Sequence, residues 1–594
     1  MSDLVSRNRV RSLLVLSCLS LIAVLCWWWN EGRPQPVAEA ADDKLQCLSY
    51  APFRKPGETP LDPESMVSEE RLRQDLTILS ARTQCVRTYS VIQGLDAVPG
   101  IARELGMQVL LGAWIGRERD KNEIELNEAI RLANEYPDTV RGVIVGNEVL
   151  LRREQSPKVM ADYIDRVKAA VEVPVTYADV WEFWSQHSEL ARHVSFVTVH
   201  ILPYWEDHPV GIHDAIQHIV GTAEAMRKLF DGKDVLIGET GWPSAGRQRD
   251  AAVAGRVNQA RFLRNFSLAA AEHNLNYNFI EAFDQPWKRG QEGAMGGNWG
   301  VFDSDGEAKF PATGPVEEDP FWYWGWVGAL AGAVMLALLA KLLWRSATTR
   351  VALAASAGAV TGALVVAQWR YLVVWNRNAL EWSVTLLFCA LGIVLVLAVL
   401  RLCLKSGGLG GRSAAVGSAS ASFAAAPAAP AAPAGTALGA PPVAELCRMC
   451  STGSASLNLL GLLRTFFLLS GATMALLLVF DARYRGFPTV LYMLPVFGLM
   501  LAKVAGFRMV GQIEERLLAA ICLLGAIGFV MIEGLANTES LSFAGTLVLM
   551  AALATDGRFW LNHTGNGNGN GNGNGTDGSA ADPSVPAPSK TRGA

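Results

Sequence analysis

Through residue 318, short apolar runs alternate with longer stretches in which apolar residues recur every three to four positions. The runs fall at 45–51, 85–90, 107–113, 141–146, 173–178, 194–200, 235–240 and 277–283. They are largely apolar rather than alternating, as expected of parallel strands covered on both faces. The stretches 68–81, 123–135, 157–171, 211–230 and 256–273 are amphipathic and predict helices. Pro137 and Pro157 stand where helices stop or start. Eight such units over residues 44–318 predict an α/β fold, a (β/α)8 TIM barrel. The alternative is an open doubly wound sheet. The first strand has no G-x-G-x-x-G after it, which weakens that alternative.

A different pattern brackets this region. Apolar runs at about 12–29, 321–344, 351–369, 382–404, 457–480, 487–504, 516–534 and 540–555 approach the length of a bilayer-spanning helix. Arg7, Arg9 and Arg11 precede the first run, and Trp27, Trp28 and Trp29 end it. This pattern predicts a cytoplasmic N-terminus and an uncleaved signal anchor over residues 1–30. The later runs predict an all-α multi-span membrane domain in two blocks, 321–404 and 456–555, with both chain ends in the cytoplasm. Lys341, Arg345, Arg350, Lys405, Arg412, Lys503 and Arg508 fall in the inside loops, whereas Arg370, Arg377, Arg483 and Arg485 fall outside. Arg464 and Glu533 lie near span ends, where they are expected to snorkel. Between the blocks, 405–455 is a Gly/Ala/Pro-rich linker, and 556–594 is a Gly/Asn-rich tail expected to be disordered.

Composition agrees with this division. Half of the residues are hydrophobic and only 18% are charged, the balance of a membrane protein with a substantial soluble part. Lys plus Arg number 52 against 56 Asp plus Glu, so no basic excess points to nucleic acid. Cys47 and Cys85 fall on neighbouring strands and are either a disulfide or two buried thiols. Cys447 and Cys450 form a C-x-x-C with no second pair to complete a zinc site. None of the eight His stands in a metal-binding spacing, and no metal or cofactor is expected.

In a barrel of this kind, chemistry belongs at the C-terminal strand ends. Those ends carry Tyr50, Tyr89, Trp114, Asn147, Glu148, Tyr177, Asp179, His200, Tyr204, Glu239, Trp242, Glu281, Asp284 and Trp287. Aromatic faces stack on sugar rings, and carboxylates handle hydroxyls and the glycosidic oxygen. Glu148 ends the fourth strand and Glu239 the seventh, across the mouth from one another. Retaining glycoside cleavage needs two carboxyls about 5–5.5 Å apart, one as acid and one as nucleophile. Asn147 is placed to bind the sugar 2-hydroxyl. A single Glu after a strand is commonly a helix N-terminal charge. Two on opposed strands, each within its own motif, favour chemistry.

The motifs VIVGNEVL (143–150) and IGETGWPS (237–244) resemble the acid/base and nucleophile segments of glycoside hydrolase family 17, the β-1,3-glucanases. SYAPF (49–53), VRTYS (86–90), FIEAFDQPWK (279–288) and NWGVFD (298–303) resemble further segments in the same order. The resemblance covers about 45–310 and none of the membrane half. It implies that Glu148 is the acid/base and Glu239 the nucleophile. It also implies that Tyr204 hydrogen-bonds the nucleophile, and that Glu281 and Lys288 line sugar subsites with Trp242 and Trp287 as platforms. Tyr50, Tyr89, Asn147, Tyr177 and His200 complete the expected substrate-binding set. Gln285 stands where the family often has an acid. The expected function is retaining double displacement on β-1,3-glucan, either hydrolysis or glucanosyl transfer. The expected setting is a bacterial inner membrane with the barrel in the periplasm. Expected partners are β-glucan poly- or oligosaccharide, the lipid bilayer and a separate glucan synthase or export machinery, with no nucleic acid. The alternative functions are a non-catalytic glucan-binding or scaffold subunit and, less favoured, a transporter with an auxiliary domain.

Overall fold

The computed structural model describes residues 2–40, 44–344, 346–404, 415–416, 453–481, 484–509 and 513–555. The expected tail 556–594, nearly all of the linker 405–455 and the Cys447/Cys450 pair lie outside the described residues.

Eight strands form a closed parallel barrel: β1 (Leu48–Ser49), β2 (Cys85–Arg87), β3 (Gln108–Ala113), β4 (Val140–Asn147), β5 (Val175–Val180), β6 (Val197–His200), β7 (Val235–Thr240) and β8 (Asn276–Phe279). They pair in sequence order, and Leu48 opposite Phe279 closes the ring. The TIM barrel expected from the apolar runs is therefore present, and the doubly wound alternative is excluded. Several strands are shorter than their runs. The run 277–283 leaves the ladder after Phe279, where the chain turns to build the mouth.

The helix α1 (Ser2–Glu31) precedes the barrel. The barrel helices are α2 (Glu69–Ser80), α3 (Val98–Glu104), α4 (Arg119–Glu135), α5 (Pro157–Ala170), α6 (Trp181–Gln186), α7 (Ala215–Leu229), α8 (Arg256–Glu272) and the single turn α9 (Arg289–Glu292). Local chemistry sets their starts. Ser68 caps α2 by accepting from Arg71 N at 3.3 Å, and Ser156 caps α5 with Pro157 in its first turn. On α2, Leu72, Leu76 and Leu79 are fully buried against the strands. Each contributes about 2 kcal/mol of apolar burial. Cys47 and Cys85 form a disulfide between adjacent strands with Cα atoms 4.4 Å apart, which decides between the two readings of that pair.

After the barrel come α10 (Tyr323–Leu342), α11 (Thr348–Trp375), α12 (Ala379–Leu404), α13 (Gly453–Phe480), α14 (Thr489–Val504), α15 (Ile513–Glu533) and α16 (Thr538–Ala554). Among the described residues, six segments have the length and apolarity to cross a membrane: Asn8–Glu31, Tyr323–Leu342, Thr348–Trp375, Ala379–Leu404, Asn458–Phe480 and Ile513–Glu533. Thr489–Val504 and Thr538–Ala554 are apolar but shorter. Small residues bring α10 and α11 together. A Cβ on Gly332 would lie 2.1 Å from the Gly358 carbonyl, so this crossing needs glycine.

Two charged residues expected at span ends behave otherwise. Arg464 does not snorkel: it is fully buried, and its guanidinium grips the Glu515 carboxylate, which also accepts from Thr465. Glu533 instead reaches the barrel, where it pairs with Arg247.

That contact belongs to a larger junction. The loop after β7 offers Gln248 to the turn between α15 and α16. Its amide donates to Ala536 O at 2.9 Å, and its side-chain oxygen accepts from Thr538 Oγ1 at 2.8 Å. Its backbone N–H donates to Glu539 at 2.9 Å, and its carbonyl accepts from Asn537 Nδ2 at 3.1 Å. One side chain and its peptide are thus almost wholly satisfied by the helical half.

Candidate active site

The end of β4 is shaped by backbone conformation. Gly146 has φ +84° and Glu148 has φ +52°. A Cβ at residue 146 would lie 2.7 Å from Val149 Cγ2, so glycine is required there. The left-handed Glu148 is a strained conformation for a residue with a side chain, of order 1–3 kcal/mol. Neighbouring bonds hold it. Glu148 N donates to Ala178 O at 2.8 Å, and Leu150 N donates to the Tyr177 hydroxyl at 3.0 Å. The turn therefore aims the Glu148 carboxylate back over the mouth.

Glu239 meets it from β7. His200, fully buried at the end of β6, lies between the two. Its Nδ1 is 2.9 Å from Glu148 Oε1, and its Nε2 is 3.7 Å from Glu239 Oε1. Donor atoms of Glu148, His200 and Glu239 all lie within 4.8 Å of one another. Such spacing also suits a cation. However, the Arg87 guanidinium sits 3.0 Å from the same Glu239 oxygen and opposes a second positive charge there.

Glu239 is tightly held. Arg87 donates to its carboxylate and, at 2.8 Å, to Gly238 O; Tyr89 OH donates to it at 2.9 Å. Arg87 also donates to Asn147 Oδ1, which links the nucleophile candidate to the β4 end. Its guanidinium lies 4.7 Å over the Tyr89 ring. The two side chains share one face of the chain because strand side chains alternate.

Burial pushes the Glu148 carboxyl up, but the His200 imidazole outweighs it and holds the group below the usual carboxylate range. Around them, Glu281 is pushed up to about 7 by burial despite Lys288 at 2.6 Å, and Asp179 is pushed up to about 6 by burial. Burial works against the Lys288 ammonium, yet its acidic neighbours, led by Glu281, raise its pKa. The Ile280–Glu281 peptide is cis.

Not every expected residue reaches the mouth. Glu148, Glu239, Asn147, His200 and Tyr89 come together, and Glu281 with Lys288 lies beside them. Tyr204 does not bond Glu239: its hydroxyl donates to Arg247 O, because it sits past the end of β6 and turns toward the loop after β7. Tyr89 occupies the role expected of it. Trp242 is buried between Tyr204 and Phe262 and donates to Val253 O at 2.9 Å, so it offers no face to a sugar. Tyr50 donates to Asp75 at 3.0 Å inside the barrel wall, and Tyr177 donates to Asp179. Both support the site from behind. Trp287 is half-buried, with its indole N–H on Gln285 Oε1 at 2.8 Å.

Arg87 was not foreseen as a site residue. Its signal was available: a charge two positions before Tyr89 within an apolar run. Glu292 was also missed, and it responds to Lys288, Glu148 and Glu239. It lies on a short turn outside any strand, where periodicity gives no guidance.

Part of the chain is similar to known glycoside hydrolases. Residues 47–300 match the family model described as the BtgE/BtgC glycoside hydrolase domain. A glucan 1,3-beta-glucosidase of Arthroderma benhamiae is 27% identical over 266 residues, which cover 41% of this chain and 85% of that protein. A glucan endo-1,3-beta-glucosidase, btgC, of Emericella nidulans is 26% identical over 274 residues, 40% of this chain. The match spans only 41% of that longer protein. The crystal structure of a glycoside hydrolase family 17 beta-1,3-glucanosyltransferase from Rhizomucor miehei is similar at 28% identity, covering 46% of this chain and 98% of that one, with a TM-score of 0.40. Residues 47–300 thus make up a BtgE/BtgC-type glycoside hydrolase domain, distantly homologous to β-1,3-glucan-active glucosidases and glucanases.

Proposed function

We propose that the chain is a membrane-anchored retaining enzyme acting on β-1,3-glucan. The observation that carries this reading is the meeting of Glu148 and Glu239, whose donor atoms, with those of His200 between, lie within 4.8 Å of one another. Two carboxyls this close leave no room for a water between them and the sugar, which favours double displacement over inversion. Glu239 attacks the anomeric carbon while Glu148 gives its proton to the departing glycosidic oxygen. Glu148 then takes a proton from the acceptor, which cleaves the glycosyl ester and returns Glu239 to its starting state. Arg87 and Tyr89 fix the Glu239 oxygen before the reaction, so little reorganisation remains. Arg87 occupies the Asn147 oxygen and leaves that amide's N–H groups to donate to the sugar 2-hydroxyl, a bond that strengthens as positive charge develops on the ring.

The apolar helices support membrane anchoring. The helix ends near residues 373–377, 484–487 and 533–539 all meet the barrel. Their contacts with the barrel support the reading that they are outside loops of a bacterial inner-membrane protein whose barrel faces the periplasm. Full-length protein in detergent, given laminari-oligosaccharides, tests the proposal. Products longer than the substrate identify transfer, and only shorter ones identify hydrolysis. In either case the first-formed anomer should be β. An α first product, or no product at all, refutes the proposal.

A further inference from the structure

We infer that the helical half supplies a sugar subsite to the catalytic cleft, built by Tyr484 against Trp205, which closes one end of that cleft. This rests on the glycan-active reading above. Tyr484 precedes α14 and is outside the matched glycoside hydrolase domain. Its ring stacks on Trp205, with centroids 6.5 Å apart and planes 26° from parallel. Trp205 lies five residues beyond His200, the imidazole between the two carboxyls. On its other flank, Tyr484 presses on the loop after β8: a Cβ added to Gly293 would lie 2.9 Å from the Tyr484 carbonyl. The residue before Gly293 is Glu292, whose carboxyl feels Lys288, Glu148 and Glu239. Tyr484 therefore bridges the loops after β6 and β8, within a residue of a group facing the reaction centre.

The loop between those two is itself fixed to the helical half through Gln248. This arc of the mouth is walled. The opposite arc carries exposed Trp114 after β3, and Leu151 after β4 is exposed as well. A glycan entering from the open arc and crossing the carboxyl pair ends on the Trp205–Tyr484 wall. Tyr484 remains 38% exposed, enough ring to take the apolar face of a glucosyl unit. The consequence is a cleft of fixed depth, which measures a set number of units from a chain end.

The test uses full-length protein in nanodiscs, silenced by Glu239→Gln, and a laminari-oligosaccharide ladder from two to six units. Tyr484→Ala in that background should weaken binding of the longest oligosaccharides about tenfold and of the disaccharide less than twofold. Tyr484→Trp should restore the long-chain affinity. In the active protein, one dominant product length should give way to a spread of lengths on Tyr484→Ala. Equal losses at every length would mean a structural role only and overturn the inference, as would no loss at any length. An active parent whose product lengths do not move sinks the subsite alone. A parent that neither binds nor turns over the ladder sinks the functional reading and the subsite with it.

Discussion

Each half of the molecule buries an arginine on a glutamate. In the barrel, Arg87 and Glu239 sit at side-chain exposures of 1% and 6%; in the helical half, Arg464 and Glu515 sit at 0% and 1%. The chemistry is the same but the setting differs. Glu239 shares its oxygen with Tyr89 and faces His200 and the 22% exposed Glu148 across an open mouth. Glu515 faces Arg464 and Thr465 inside a packed bundle, near the start of α15. Removing charges from water costs several kcal/mol per ion, so both pairs need a reason to persist. In the barrel the reason proposed here is chemistry. In the bundle the pair ties α13 to α15.

Four substitutions separate these roles. The largest effect belongs to Glu239→Gln, which keeps the shape and removes the proposed nucleophile. Turnover of laminari-oligosaccharides should fall by at least roughly a thousandfold. A fall of less than tenfold would mean that the barrel pair is structural, like the one in the bundle.

Next is Arg464→Met, which removes the guanidinium that grips the buried Glu515 carboxylate. It should destabilise the helical half by about 3 kcal/mol, read as a shift in detergent-solubilised unfolding, and adding Glu515→Leu should recover most of the loss. Retained stability in the single variant would show that the pair carries no structural load. A persistent loss in the double variant would point to a function for the pair.

His200→Gln comes third. With the imidazole gone, burial dominates at Glu148 and its pKa rises. The acid form then persists to higher pH, so the alkaline limb of kcat/KM should move to higher pH. An unmoved limb would remove His200 from the control of Glu148.

The smallest effect is the pH dependence of barrel stability traced to Glu125. This residue is buried beneath the loops after β2 and β3 and accepts from Ser90 and from the backbone of Val91 and Trp114. Burial raises its pKa from 4.5 to about 7. The folded barrel therefore holds this proton when the unfolded chain has lost it. Its contribution is full below about pH 4.5 and fades as pH rises through about 7. Glu125→Gln should flatten the fall in barrel Tm between those values.

Legibility followed the same division. The barrel could be read because each strand is a short, largely buried run and each helix carries one apolar stripe. Glu148 and Glu239 were visible because a strand end fixes where its side chain points. Tyr204 and Trp242 were misassigned because they lie in loops, where position along the chain does not set direction. Arg87 was missed for a different reason: its charge stood out within an apolar run, but the partners that compensate it come from β4 and β7, distant in sequence. In the helical half, apolar length located the elements, but hydropathy carries no information on which faces meet. Arg464 and Glu533 were accordingly placed in lipid headgroups, although each has a protein partner.

The junction at Gln248 bears on how the protein is made. Its partners lie 288 to 291 residues further along the chain. A barrel that folds as synthesis proceeds must wait, with the loop after β7 unanchored, until α15 and α16 have been made. Termination before α15 would then yield a complete barrel whose β7 loop has never been set, so completion of the helical half doubles as a checkpoint on the barrel.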